Sequence, residues 1–262
     1  MQIPVRTENL SGVPYFLDIR EALSLPGCAF CRLLARSANR YLDIVLWEMV
    51  LDPELRAELN EARGYCSEHG WLLVRPGSAL GVAILMQHVI KTLMTVLESQ
   101  PVEAVSIPIL ENVRRGLAKD YASKSTAPLV AKLEPQTPCP VCTHLEAREM
   151  ELADTLLAHL DEPGDLAVDY RASDGLCLEH FRLSLARALS PAQARTLLTV
   201  QQSIWQRLRD ELGEFIRKKD HRFKDEPFGS EKDSWRRALE AISGPPPAGG
   251  TERQALTELL KG

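Results

Sequence analysis

The sequence lacks several features that would place it in a familiar class of protein. No segment keeps an alternation of apolar and polar residues, so we predict no β-sheet. The first seven residues show no charged stretch followed by an apolar run, as a signal peptide would. Uninterrupted apolar runs such as residues 82–86 are far shorter than the ~20 residues that span a bilayer. We therefore expect a cytoplasmic, all-α protein that does not associate with a membrane.

Motifs of the common catalytic classes are also missing. There is no glycine-rich phosphate loop, no serine nucleophile elbow and no H-E-x-x-H zinc-protease motif. No pair of carboxylates is marked by its spacing as an acid and a base. The sequence therefore leaves enzymatic activity uncertain and favours a protein that is not an enzyme.

The overall composition is that of an ordinary folded protein. Among 262 residues, 45% are hydrophobic and 26% are charged, which is enough apolar material for one large domain or two smaller ones. The net charge of −5 argues against binding nucleic acid over the whole surface, because that binding depends on Lys and Arg neutralising phosphates. A net charge of −5 still allows a basic patch on part of the surface.

Cysteine is scarce, and all six cysteines belong to one pattern that occurs twice. Each copy reads C-x-x-C, then C-x-x-H, and the third cysteine lies 35 positions after the second. Every residue of the second copy lies 111 positions after its counterpart in the first. The first copy is Cys28, Cys31, Cys66 and His69, and the second is Cys139, Cys142, Cys177 and His180.

Three thiolates and one imidazole form a closed tetrahedral ligand set that is typical of structural zinc. We predict two structural zinc ions, each held by one sequential copy of the pattern, with each motif at the start of a helix. An iron–sulfur cluster and a thiol redox pair are the alternatives, although clusters are usually held by thiolates alone. Glu68 and Glu179, inside the two C-x-E-H turns, are interpreted as solvated first-turn carboxylates; orientation of the imidazole is their alternative role.

The equal spacing predicts an internally duplicated helical fold, with a metal site stapling each half. We expect a flexible arm over residues 1–14 and a first repeat over 15–123. A linker over 124–138 precedes the second repeat over 139–244, and a Pro/Gly linker with a tail helix occupies 245–262. Asp52 and Ser190, each followed by proline, are predicted to cap helices, as is Ser78. Gln201 interrupts an apolar stripe that we expect to pack in the core.

The second half carries a basic segment without a counterpart in the first. Residues 182–237 contain thirteen Lys or Arg and eight Asp or Glu, a balance of +5. Basic residues interleaved with aromatics can bind nucleic acid, whereas the interspersed acids favour a packed connector with solvated charges. The candidate binding surface consists of Arg217, Lys218, Lys219, Arg222, Phe223, Phe228, Trp235 and Arg236.

The chain resembles a family of uncharacterised bacterial proteins that is known as a domain of unknown function. The resemblance covers about residues 15–244 and depends on the duplicated motifs together with the ending H-R-F-K-D-E-P-F-G-S-E-K-D-S-W-R-R-A. It implies no catalytic residue, but it implies that residues 222–235 are a family hallmark. The leading hypothesis is a zinc-binding module that binds a protein partner, and nucleic-acid binding through 182–237 is the alternative.

Overall fold

The computed structural model describes residues 15–99, 127–160, 165–223 and 225–246. Those residues form helices and connecting turns without a strand, which confirms the all-α prediction. A π-helical turn, Val45–Met49, continues the second helix, and short 3₁₀ turns cover His221–Phe223 and Ser230–Asp233. The α-helices are α1 (Phe16–Leu23), α2 (Ala29–Ile44), α3 (Pro53–Glu61), α4 (Ser67–Trp71), α5 (Ala79–Glu98), α6 (127–133), α7 (Pro140–His159), α8 (Asp165–Ala172), α9 (Leu178–Arg187), α10 (Pro191–Lys219) and α11 (Ser234–Ser243).

The chain divides into two compact units that do not follow the two sequence halves. The discontinuous unit contains Met1–Ser37 and Leu145–Gly262, and the central unit contains Ala38–His144. The boundaries fall inside α2 and α7, so both of these helices supply residues to both units. The central unit is therefore inserted between two segments of the other.

The discontinuous unit has a large apolar core. Its fully buried side chains include Ile19, Phe30 and Tyr170, and α7 and α10 contribute further apolar residues. The 29-residue helix α10 begins as predicted, since the Ser190 side chain accepts a hydrogen bond from Gln193 N at 3.2 Å. Part of the stripe on α10 lies in this core as expected, namely Leu197, Ile204 and Trp205, whereas Leu198 is exposed.

The core of the central unit is smaller and joins the π turn, α3 and α5. Its buried residues are Val45, Leu55, Leu59, Leu85 and Val89. Asp52 caps α3 as predicted, accepting from the backbone N–H of Leu55 at 2.8 Å. The prediction for Ser78 was wrong, because its hydroxyl donates to the carbonyl of Arg75 and leaves the start of α5 without a side-chain cap.

Part of the predicted linker is structured. Residues 127–133 are helical, and the Lys132 carbonyl accepts two hydrogen bonds from the Arg63 guanidinium, at 2.9 and 2.7 Å. The Gln136 backbone N–H also donates to the Glu61 carbonyl at 2.8 Å. The predicted arm at 1–14 and the tail beyond residue 246 lie outside the described residues.

Helix α5 is long and apolar enough to cross a membrane, judged by length and composition alone. The sequence prediction considered only uninterrupted apolar runs, so it did not single out this helix. Much of the helix is exposed, including Leu80, Ile90, Met94 and Leu97. A single helix of this kind is weak evidence for membrane insertion, since helices of soluble proteins can pass the same test.

Candidate metal centres

The eight predicted ligands gather into two clusters of four. Site A consists of Cys28, Cys31, Cys177 and His180, and site B of Cys66, His69, Cys139 and Cys142. Within each cluster the possible ligand atoms all lie within 4.8 Å of one another, so each could hold a metal ion. Site A belongs entirely to the discontinuous unit and site B to the central unit.

The predicted grouping of the ligands was wrong. Each site does combine one C-x-x-C with one C-x-x-H, but the two motifs come from different halves of the sequence. The first C-x-x-C meets the second C-x-x-H in site A, and the reverse pair forms site B. Equal spacing could not reveal this exchange, because both groupings supply three thiols and one imidazole.

Each half contains a long helix followed by a short one. After the first C-x-x-C, α2 and the π turn extend over about 30 Å, at a rise of ~1.5 Å per residue. The following helix α3 has nine residues and spans about 14 Å. The second half repeats this arrangement, with a 20-residue α7 followed by an eight-residue α8. Neither C-x-x-H shares a cluster with the C-x-x-C that precedes it.

Each motif forms one helical turn, which places its two ligands on the same side. Cys66 and Cys177 occupy the position before α4 and α9 in nearly identical extended conformations, with φ of −65° and −68°. Their carbonyls accept from Gly70 N and Phe181 N, both at 2.8 Å. The C-x-x-C motifs likewise open α2 and α7, so the prediction that the ligands start helices is confirmed for these elements.

In site A the Nδ1 atom of His180 faces the three sulfurs. It lies 3.5, 3.3 and 3.1 Å from the Sγ atoms of Cys28, Cys31 and Cys177. The sulfurs of Cys31 and Cys177 are 3.7 Å apart. Cys177 and His180 are almost completely buried, at 1% and 5% exposure, so the inner side of the site is closed to solvent.

Site B has the same arrangement. His69 Nδ1 lies 3.2, 3.8 and 3.3 Å from the sulfurs of Cys66, Cys139 and Cys142. The sulfurs of Cys66 and Cys142 are 3.8 Å apart. Both S–S separations are far longer than the ~2.05 Å of a disulfide, and all six cysteines are free thiols.

The two histidines differ in what lies behind the ring. In site A the Nε2 atom of His180 lies 3.1 Å from a carboxylate oxygen of Glu149, on α7. No carboxylate among the described residues lies within 4.0 Å of His69 in site B. A carboxylate at Nε2 fixes the ring orientation and the tautomer, leaving Nδ1 free to bind a metal. Site A therefore has an orienting carboxylate that site B does not have among the described residues.

Glu149 was not predicted. In the repeat it corresponds to Ala38, so comparing the two halves directed attention to Glu68 and Glu179 instead. Both of those carboxylates are exposed and make no described contact with an imidazole. Glu68 only opposes, through its charge, the lowering of the His69 pKa that burial causes.

Burial and mutual contact shift the pKa values of several ligands, and not all in one direction: hydrogen bonds with Cys28 and Cys31 lower the pKa of Cys177. Burial and the neighbouring thiols raise the pKa of Cys142 to about 12, and hydrogen bonding with Cys177 raises the pKa of Cys31 even further. Burial by itself would lower the pKa of His180. Hydrogen bonds with Cys177, Cys28 and Glu149 outweigh burial and raise this pKa to about 12. A bound metal ion would lower the raised pKa values of these thiols, since thiols that ligate a metal are deprotonated.

Gln201 holds the backbone beside Cys177. Its amide accepts from Leu176 N at 3.2 Å and donates to the Leu176 carbonyl at 3.0 Å. The Tyr170 hydroxyl donates to the same amide oxygen, and Gln201 itself is fully buried. Gln201 therefore supports site A, and its position as a polar residue within an apolar stripe was the sequence signal for this role.

Comparison with known proteins identifies the family of the chain. The family of unknown function DUF6062 matches residues 15–248. The chain belongs to this family. The predicted resemblance to an uncharacterised family is thus confirmed. No curated protein and no solved structure matches the chain.

In this DUF6062 protein the basic residues of the candidate binding surface are largely engaged by acids. Arg217 pairs with Glu214 and Glu226, and Lys218 lies 2.7 Å from Glu231. Hydrogen bonds with these arginine and lysine side chains, as the largest effect, lower the pKa values of Glu214, Glu226 and Glu231. The acids therefore stay ionised and neutralise the basic side chains that were proposed to meet phosphate.

The rest of the candidate surface is partly stacked and partly exposed. The Lys219 ammonium lies 5.2 Å from the ring centres of Phe215 and Phe228, and the Arg217 guanidinium lies 4.5 Å from that of Phe223. The other members are exposed: Arg222 pairs with Asp220, Arg236 with Glu240, and Trp235 is 52% exposed.

Proposed function

We propose that both sites hold Zn²⁺ and that the two ions are structural. Four ligands at typical zinc distances define a tetrahedron with S–S edges of ~3.8 Å and S–N edges of ~3.5 Å. The S–S separations of 3.7 and 3.8 Å support zinc in both sites. The S–N separations, from 3.1 to 3.8 Å, fall around the same value.

The closed ligand sets support a structural role rather than catalysis. A catalytic zinc normally has three protein ligands and leaves one position for water or substrate. Here three sulfurs and one nitrogen fill all four positions of each site. The ions then join helix starts that are distant in sequence, which contributes to folding directly.

We assign this protein a role in binding another macromolecule, in the cytoplasm, with a protein as the partner. Neither proposed ion has an open coordination position for a substrate, so the protein acts through its surfaces. Free thiols at all six cysteines suit a reducing compartment. Nucleic-acid binding through residues 182–237 is the weaker proposal, because carboxylates pair with several of the basic residues there: Arg217, Lys218, Arg222, Arg236 and Arg237.

Metal content and melting temperature test the structural-zinc proposal. Protein purified without oxygen should be colourless and contain two zinc ions per chain, and removing them with a chelator should lower the melting temperature. Iron with visible absorbance would support a cluster instead, and unchanged melting after metal removal would contradict a structural role.

The binding role needs a separate test. A partner that co-purifies from cells expressing the natural gene should be lost when an exposed residue such as Trp235 is replaced, while the zinc content stays the same. Substrate turnover by the purified protein, abolished by a change at a residue that is not a ligand, would show an enzyme instead.

A further inference from the structure

We infer that α11 braces site A, with Arg237 fixing the two backbone segments that present Cys28 and Cys177. This inference rests on the proposed metal binding. It assigns part of the C-terminal segment, singled out above as a candidate binding surface, to support of the metal site. All of the residues involved belong to the discontinuous unit.

Arg237, on α11, lies close to several carboxylates. Its guanidinium donates to Glu211 at 2.5 Å and to Asp233 at 2.9 Å, and also to the Ser230 carbonyl at 2.8 Å. A third carboxylate, that of Asp174, lies 3.9 Å from its Nη1 atom. The side chain is only 19% exposed, so these interactions are less screened than those of a surface pair.

Asp174 connects Arg237 to both metal-binding segments. It stands three residues before Cys177, in the turn that leads into α9. Its carboxylate accepts from the backbone N–H of Gly27 at 2.8 Å, and Gly27 directly precedes Cys28. The Asp174 carboxylate therefore links the residues just before the C-x-x-C motif to the residues just before the C-x-x-H motif.

Helix α11 packs closely against the segment that precedes Cys28. Gly27 has a φ of +84°, and a Cβ atom there would lie 3.3 Å from the Glu240 carboxylate on α11. The cavity between α11 and the two cysteine-bearing segments is about 10 Å³, room for about one water molecule. The helix thus leaves little space beside Cys28 and Cys177 on this side.

Site-resolved cysteine protection in the zinc-loaded full chain tests the brace. The protein is exposed to a chelator and an alkylating reagent, and labelling of each cysteine is followed by peptide mass spectrometry. Arg237→Ala should accelerate labelling of Cys28 and Cys177 on the order of tenfold, as loss of an outer partner of a metal site does. Labelling of the site B cysteines should keep the wild-type rate.

Arg222→Ala is the matched control, because it removes the same charge from an exposed pair with Asp220. Its labelling rates should equal those of the wild type. Asp174→Asn is a milder second variant that keeps an oxygen for the Gly27 N–H but loses the charge facing Arg237. It should accelerate labelling at site A less than Arg237→Ala does, and it provides the test if that variant does not fold.

Two results would overturn the brace: an unchanged rate at site A in both Arg237→Ala and Asp174→Asn, or an equal increase at both sites. The zinc content of the wild type reports separately on the proposed function. A chain with two zinc ions and no selective effect at site A would retain the proposed function and reject the brace.

Discussion

Replacing Cys31 by serine decides which motifs share an ion. The Cys31 sulfur lies 3.7 Å from that of Cys177 and 3.3 Å from His180 Nδ1, although these residues are far apart in sequence. A serine hydroxyl is a poor substitute for a thiolate ligand, so site A should lose its ion while site B keeps its own. We expect the zinc content to fall from two ions per chain to one.

The length of chain between Cys31 and Cys177, which the ion would link, sets the loss of stability that we expect in Cys31→Ser. Cys31 and Cys177 are separated by 146 residues, and a cross-link over that length removes about 5 kcal/mol of chain entropy from the unfolded state. A sequential pairing over 35 residues would remove about 4 kcal/mol. The loss in Cys31→Ser should therefore approach 5 kcal/mol, a decrease in melting temperature on the order of 10–20 °C.

Alkylation of individual cysteines distinguishes the two pairings more sharply than stability does. In Cys31→Ser, we expect Cys28 and Cys177 to become reactive while Cys66 stays protected. The reciprocal variant Cys142→Ser should expose Cys66 and Cys139 and leave Cys177 protected. Reactive Cys66 together with protected Cys177 in Cys31→Ser would show that each ion is held by one sequence half, contrary to the structure.

Three further changes test the surroundings of the sites and the C-terminal segment. Glu149→Ala should weaken zinc binding at site A by about tenfold or more in a chelator competition, because His180 loses its orienting partner; Glu151→Ala, an exposed carboxylate on the same helix, should change nothing. Gln201→Leu should cost about 3 kcal/mol in denaturant unfolding, since buried polar groups of Tyr170 and Leu176 lose their partners, whereas Gln202→Leu at an exposed position should cost little. A Gln201→Leu variant as stable as the wild type would refute that account. The ion pair with Lys218 lowers the pKa of Glu231 to about 2, below the ~4.3 of an unfolded glutamate, so its contribution is complete above about pH 4.3 and disappears as the pH falls towards 2. The melting-temperature advantage of the wild type over Glu231→Gln should follow that course, and an advantage independent of pH would contradict it.

Local features of this chain were predictable from short stretches of sequence. Apolar residues at helical spacing predicted an all-α protein, and the Asp-Pro and Ser-Pro pairs at Asp52 and Ser190 marked two helix starts correctly. The eight ligands were recognisable because chelation needs particular side chains at a spacing of one helical turn. These properties depend on neighbours within a few residues, which the sequence displays directly.

Tertiary structure decided which of those residues meet. The grouping of the ligands depends on where the folded chain places each motif, and not on the motifs themselves. The motif pattern also could not predict the supporting residues, since each of them contacts a residue distant along the chain. These residues are Glu149, Asp174 and Arg237. The sequence determined by itself that the chain carries, at helix starts, two sets of residues that could hold a metal ion. Only the folded chain, by carrying each C-x-x-H away from its own C-x-x-C, decided that the sets are exchanged.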